Sequence, residues 1–344
     1  MFPGMVPLSA RDLEALAVKL DGEDPLKGLR DRFKLPTLSE LFDQVKDPCG
    51  QSNGDGLTEV IYLCTNSLGL PPKSTGQNLE KVLESWRTLG VLSHTLGYSP
   101  TETSDLRPKK ILAEYIVGAK VDEVAVMESL SANIHTLLAS FYRPQGEKCC
   151  ILVEKNAFPS DYYALESHIH LRDFAPTSGH KYAPVLTGWW GHRYSTRFQM
   201  TNMMEVEGGA DSYRRSCPSM LLNSALTSSL EIFAEAGGMI PIREKSIMLT
   251  GYLQSLLLNS PIAQSPGLEI ITPCDPQSRG SQLSIKVNVD VDKLYDRLIK
   301  RGVICDTRRP CFIRLAPFAL YTSFADLLKA SRIITEEVEA LVTD

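Results

Sequence analysis

The stretch EVAVMESLSANIHTLLASFYRPQGEKCCILV, residues 123–153, decides the fold class. Glu123-Val124-Ala125-Val126-Met127 reads as a strand, Ser129-Leu130-Ser131 as a turn, and 132–141 as a helix with Ile134, Leu137 and Leu138 on one face. Cys150-Ile151-Leu152-Val153 is the next strand. A strand, a turn, a helix and a second strand make the repeating unit of a doubly wound, mostly parallel sheet.

Upstream, 8–50 reads as a polar helical arm in which Ser9 can cap a helix carrying Leu13, Leu16, Ala17 and Leu20. Val60-Ile61-Tyr62-Leu63 is a short strand closed by Asn66-Ser67-Leu68-Gly69, and a helix with Leu79, Val82 and Trp86 inward starts at Ser74. Near 172–185, DFAPTSGHKYAP is too broken by Pro and Gly for a regular element. Helices follow at 224–236 and 244–258, a strand at 282–289, a helix at 291–301, a strand at 313–315 and a final helix from Ser323. The expected organisation is an arm at 1–55, a large α/β domain at 56–222 and a small α/β domain at 223–344.

Composition narrows the class. The 344 residues are 43% hydrophobic and 22% charged, with a net charge of −5, which disfavours nucleic acid as a partner. No run approaches the ~18 apolar residues of a membrane span. The first twenty residues lack a basic start followed by an apolar block, so no signal peptide is expected. Eight cysteines include no CxxC pair, which fits reduced thiols in a cytoplasmic protein.

Four features could carry chemistry. Ser131 stands where a strand turns into a helix, and it is either a helix cap or part of an anion cradle. Phe158-Pro159-Ser160-Asp161 follows a strand end, the edge at which parallel sheets bind ligands; the alternative is a capping turn with a core Phe. Arg314 is a cation inside the apolar strand Ile313-Arg314-Leu315, and it wants either a structural carboxylate or a substrate carboxylate. His168 and His170 fall on one side of an extended segment, but no carboxylate or thiol sits at ligand spacing, so no metal is expected. No GxSxG elbow supports a serine hydrolase.

With these residues assembled, the chain resembles the kynureninase family, pyridoxal-phosphate (PLP) hydrolases of the aspartate-aminotransferase fold type. The matching stretches are 62–70, 130–135, 157–167, 188–192 with 195–198, 301–306 and 313–317, in family order. The resemblance implies a three-layer large domain and a small C-terminal α/β domain. It implies cleavage of kynurenine or 3-hydroxykynurenine to an anthranilate and alanine, in tryptophan catabolism, by a cytoplasmic homodimer. Leu130 and Ser131 would hold the PLP phosphate. Phe158 would stack on the ring beside Pro159, Ser160 and Asp161, with Tyr182 and Cys217 also at the cofactor. Trp189 would reach the phosphate of the neighbouring subunit. Asn66, Ser67, His94 and Ser216 would line the substrate, and Arg314 would clamp its α-carboxylate.

The departures are specific. Between Ser167 and Gly188 the family carries a stretch several times longer, including strands of the main sheet, so the large domain is truncated in its middle. The Asp-x-Ala-His motif, whose Asp faces the pyridine nitrogen, does not occur in this chain. Asp173-Phe174-Ala175 followed by Lys181-Tyr182 matches the stretch that supplies the Schiff-base lysine; otherwise Lys181 is a surface lysine in a shortened loop. Cys217 replaces an Asn, and Thr65 replaces a Gly. A catalytically silent relative, pairing with an intact homologue or only binding an aromatic amino acid, is the alternative to a working enzyme.

Overall fold

Alternating burial organises the C-terminal half: Leu283, Ile285 and Val287 are buried, while Ser284 and Lys286 between them are not. The computed structural model describes residues 10–45, 58–145, 150–155, 157–173, 187–199, 203–264 and 267–343. Its helices are α1 (Ala10–Glu23), α2 (Leu38–Val45), α3 (Ser74–Leu89), α4 (Leu106–Ile111), α5 (Leu130–Phe141), α6 (Pro159–Asp173), α7 (Met220–Glu235), α8 (Met239–Leu258), α9 (Pro261–Gln264), α10 (Val291–Lys300) and α11 (Phe324–Thr343). Its strands are β1 (Ile61–Tyr62), β2 (Leu268–Ile270), β3 (Leu283–Val287), β4 (Val303–Ile304), β5 (Asp306–Arg308) and β6 (Phe312–Leu315). The contacts divide the chain into two units, Met1–Thr75 with Ile232–Asp344, and Gly76–Glu231.

In the first unit an antiparallel sheet runs in the order β2-β3-β6-β5, and β1 pairs in parallel with β4. The inner face of the larger sheet, Leu283, Ile285, Val287, Ile313 and Leu315, joins Leu294 and Leu298 of α10, Leu249 and Leu253 of α8, and Leu327 and Ile334 of α11 in one core. Each such side chain contributes about 1.5–3 kcal/mol on burial. The outer face is left for polar groups. Helix ends are closed by side chains: Asp290 accepts from the amides of Asp292 and Lys293, and Asp21 of α1 accepts from those of Phe324 and Ala325. The arm therefore packs with the C-terminal elements, and the buried pair Lys245–Asp24, 2.7 Å, ties it to α8.

A capping box starts α2. The Thr37 amide donates to Glu40 Oε2 at 2.9 Å, and the Glu40 amide donates back to Thr37 Oγ1 at 3.3 Å. Lys34 and then the Thr37 amide hold the Glu40 carboxyl down at about 2. Because the folded value lies below the unfolded one, this contribution is full above about pH 4.5 and is lost as pH falls through about 2. The protection factors of the α2 amides, exchange corrected for its intrinsic pH dependence, should therefore fall from pH 5 to pH 2 in the parent and much less in Glu40→Gln, whose protection is already lower at pH 5. Equal protection in both proteins at pH 5 would contradict the capping role.

In the second unit α5 packs on α6, with the rings of His135 and His168 centred 5.9 Å apart. His168 and His170 therefore lie in a helix, not in an extended segment. The helix expected at 132–141 forms, but its flanking strands do not: 124–127 and 150–153 carry no ladder among the described residues, and Leu152 is 99% exposed. A strand exists only with a neighbour to bond, and neither segment has one among the described residues. Trp86, expected inward, is 58% exposed, whereas Val82 is buried. Ser9 and most of 172–185 lie outside the described residues.

Candidate functional site

In the first unit, strand register assembles a polar cluster on the outer face of the sheet. Arg314 stands opposite Ser284 on β3 and opposite Asp306 on β5. Its Nε donates to Asp306 Oδ2 at 2.6 Å and its Nη2 donates to the same oxygen, while Arg308 Nη1 donates to Asp306 Oδ1 at 2.7 Å. Two guanidiniums thus share one carboxylate, which leaves positive charge in surplus.

The segment after β1 closes one side of this cluster. The Ala316 amide donates to Leu63 O at 2.8 Å, and Thr65 Oγ1 donates to Ala316 O at 2.7 Å. Asn66 Nδ2 then donates to Gln282 Oε1 at 2.8 Å, and Gln282 Nε2 donates to Ser284 Oγ at 3.0 Å. Ser67 follows, exposed, in the turn closed by its own amide on Cys64 O. Burial and then Asp306 push the Cys64 thiol up, against the two arginines. Asn66 and Arg314, distant in sequence, are brought near each other by the Asn66–Gln282–Ser284 bonds and by the register that sets Ser284 opposite Arg314. Asp306, Gln282 and Ser284 were missed by sequence reasoning; only the register of β3, β5 and β6 places them there.

The second unit holds the expected phosphate residues. Ser129, not Ser131, caps α5, its Oγ accepting from the Ala132 amide at 3.3 Å. Ser131, in the first turn, is therefore not spent as the cap. Leu130 is 65% exposed. Arg215 clips this turn from outside, donating to Ala132 O at 3.2 Å and Thr136 Oγ1 at 2.9 Å and pairing with Glu128 at 2.9 Å. Ser216, exposed, and Cys217, half-buried, follow directly. The Gly188 amide bonds Arg214 O and the Trp190 amide bonds Arg215 O, so 188–191 runs beside 214–217. Glycine permits this approach: a Cβ on Gly188 would lie 2.2 Å from Arg215 O, and one on Gly191 would lie 2.7 Å from Arg214 O. Trp189, 46% exposed, donates from Nε1 to Arg197 O at 3.2 Å.

Phe158 is 66% exposed just before α6, so it is not a core Phe. Pro159 and Ser160 begin the helix, and in its first turn Asp161 keeps one carboxylate oxygen, Oδ1, buried without a partner among the described residues. His94 is exposed at the end of a short helical turn, 90–94. Lys181 and Tyr182 lie outside the described residues. Behind the 209–217 segment lies a charge cluster that sequence reasoning also missed: Arg214 pairs with Asp105 at 2.6 Å and with Asp211 at 3.5 Å, and Lys109 pairs with Asp211.

The family described as Kynureninase C-terminal domain matches residues 242–334. A kynureninase of Schistosoma japonicum is 32% identical over 403 residues, covering 78% of this chain and 92% of that protein. The chain belongs to the kynureninase family. Human kynureninase is 29% identical over 444 residues, covering 96% of this chain and 94% of that protein. These matched stretches exceed the 344 residues of the chain, so against other kynureninases it carries a large internal gap. Among solved structures, a C-DES mutant with glycine linked to its PLP cofactor matches with TM-score 0.62 at 10% identity, covering 81% of this chain and 97% of that one. The cysteine desulfurase CsdA of Escherichia coli matches with TM-score 0.56 at 10% identity, covering 82% and 95%. The fold is thus of the aspartate-aminotransferase type.

Proposed function

We propose that this kynureninase relative is a PLP-dependent hydrolase that cleaves kynurenine or 3-hydroxykynurenine to anthranilate or 3-hydroxyanthranilate and alanine, as a cytoplasmic homodimer. The observation that carries the reading is the Arg308–Asp306–Arg314 cluster. Its surplus positive charge, with Asn66 and Ser67 alongside, suits the α-carboxylate of an amino acid.

The residues of the second unit fit the cofactor. Ser131 and the amides of the first turn of α5 would hold its phosphate, with Trp189 reaching that of the other protomer. Phe158 would cover the ring, and the unpartnered oxygen of Asp161 has an acceptor to offer. Cys217 and Tyr182 would stand beside them, and Lys181 would be the point of covalent attachment. Bound PLP supplies the electron sink for the carbanion formed on the substrate. His94 and Ser216 would complete the substrate side.

A second reading, a relative that binds the amino acid without cleaving it, is favoured by the missing Asp-x-Ala-His motif and by the unpaired segments 124–127 and 150–153. Both readings need Arg314. Lys can supply its charge but not the fork of two parallel N–H groups. Calorimetry with kynurenine should show Arg314→Lys binding roughly tenfold to a hundredfold more weakly than the parent, the range of a charge-assisted bond. Equal affinities would reduce Arg314 to the structural partner of Asp306.

A further inference from the structure

The first unit contains a second cationic pocket, separate from the Arg314 cluster. A cavity of about 390 Å³ is walled by Phe233 and Phe318 and lined by Arg243, Ser246, Arg279 and Ser281. Volumes from about 300 Å³ upward accommodate small organic ligands. Its chemistry is unbalanced. Arg279 is only 8% exposed, and among the described residues neither it nor Arg243 forms an ion pair with a carboxylate.

The guanidinium of Arg279 is fixed at one corner. Nη1 donates to the neutral Gln254 Oε1 at 2.6 Å and to Pro273 O at 3.1 Å. The opposite edge, Nε with Nη2, is buried and has no partner among the described residues, and the Ser246 hydroxyl is likewise buried and unpartnered there. Arg243 faces the same space while donating to Arg279 O at 2.8 Å. Burial, with the neighbouring Arg243, pulls the Arg279 pKa down against Cys274 and Asp275. Buried donors left unsatisfied are costly, and an anion bound there would recover that cost.

We propose that this pocket binds a small organic carboxylate with an apolar, ring-sized body. The Nε–Nη2 edge would take the carboxylate in the paired geometry guanidinium favours, Ser246 would donate a further bond, and the two Phe rings would cover the body. The pocket is distinct from the substrate site and stands whether or not the chain cleaves kynurenine.

Calorimetric titration of the full chain with benzoate, benzamide and inorganic phosphate tests it. Benzoate should bind, with benzamide and phosphate each at least about tenfold weaker, since one lacks the charge and the other the apolar body. Arg279→Gln should weaken benzoate roughly tenfold to a hundredfold, and Ser246→Ala, which removes no existing contact, about two- to tenfold. Arg314→Lys should leave benzoate unchanged while weakening kynurenine, which separates this pocket from the substrate site. No benzoate binding to the parent, tighter phosphate binding, or loss of benzoate binding in Arg314→Lys with Ser246→Ala unaffected would each overturn the assignment. Should Arg279→Gln fail to fold, Ser246→Ala and the benzamide comparison decide alone.

Discussion

Replacing Lys181 by Ala is expected to abolish covalent capture of PLP. Parent protein incubated with PLP and reduced with borohydride should yield a pyridoxyl-modified peptide containing Lys181, and Lys181→Ala should yield none. A cofactor lysine also moves protons during the reaction, so anthranilate formation should fall by at least about 10²–10⁴-fold, the range lost with a positioned acid–base group. A modified peptide around a different lysine would contradict the match of 173–182 to the family's lysine stretch. Substrate binding should survive in Lys181→Ala, because Arg314 and Asn66 keep their partners Asp306 and Gln282.

The second large effect is on stability. Asp105 is 1% exposed and Arg214 is its ion-pair partner, so Arg214→Met leaves a buried carboxylate without its countercharge. Breaking such a pair costs about 3–5 kcal/mol. Burial already raises the Asp105 pKa, and Arg214 is the principal force holding it down. Without Arg214 it rises further. A raised folded-state value means the penalty is full at neutral pH and shrinks as acid protonates the carboxyl. Hydrogen exchange over 105–111 and 209–214 should thus be much faster in Arg214→Met at pH 7 and approach the parent's as pH falls. Asp105→Asn combined with Arg214→Met should recover part of the loss. Unchanged protection in Arg214→Met at pH 7 would show that the cluster contributes nothing.

The legible parts of the chain were those whose signal is local. The alternation at 283–287, the amphipathic pattern of α10 and the start of α3 at Ser74 each depend on a few neighbouring residues, and each formed where expected. The strands at 123–127 and 150–153 had the same apolar signal and did not form, because a ladder depends on a distant partner as well as on composition. From sequence Ser131 was the expected cap, and the backbone geometry gives that role to Ser129. Arg314 was visible as an anomaly in an apolar strand. Its partner Asp306 was not, since register alone sets them face to face. The Asp105–Arg214 and Arg243–Arg279 groups come from separate segments brought together by packing, and no spacing rule announces such meetings.

The most direct measurement of the central claim is the release of anthranilate, followed by its fluorescence, when the full chain loaded with PLP is given kynurenine. Product should grow with time and with enzyme and be lost in Lys181→Ala. Calorimetric binding of kynurenine with no anthranilate released at any enzyme concentration would contradict it, and would leave a binding protein in place of a hydrolase.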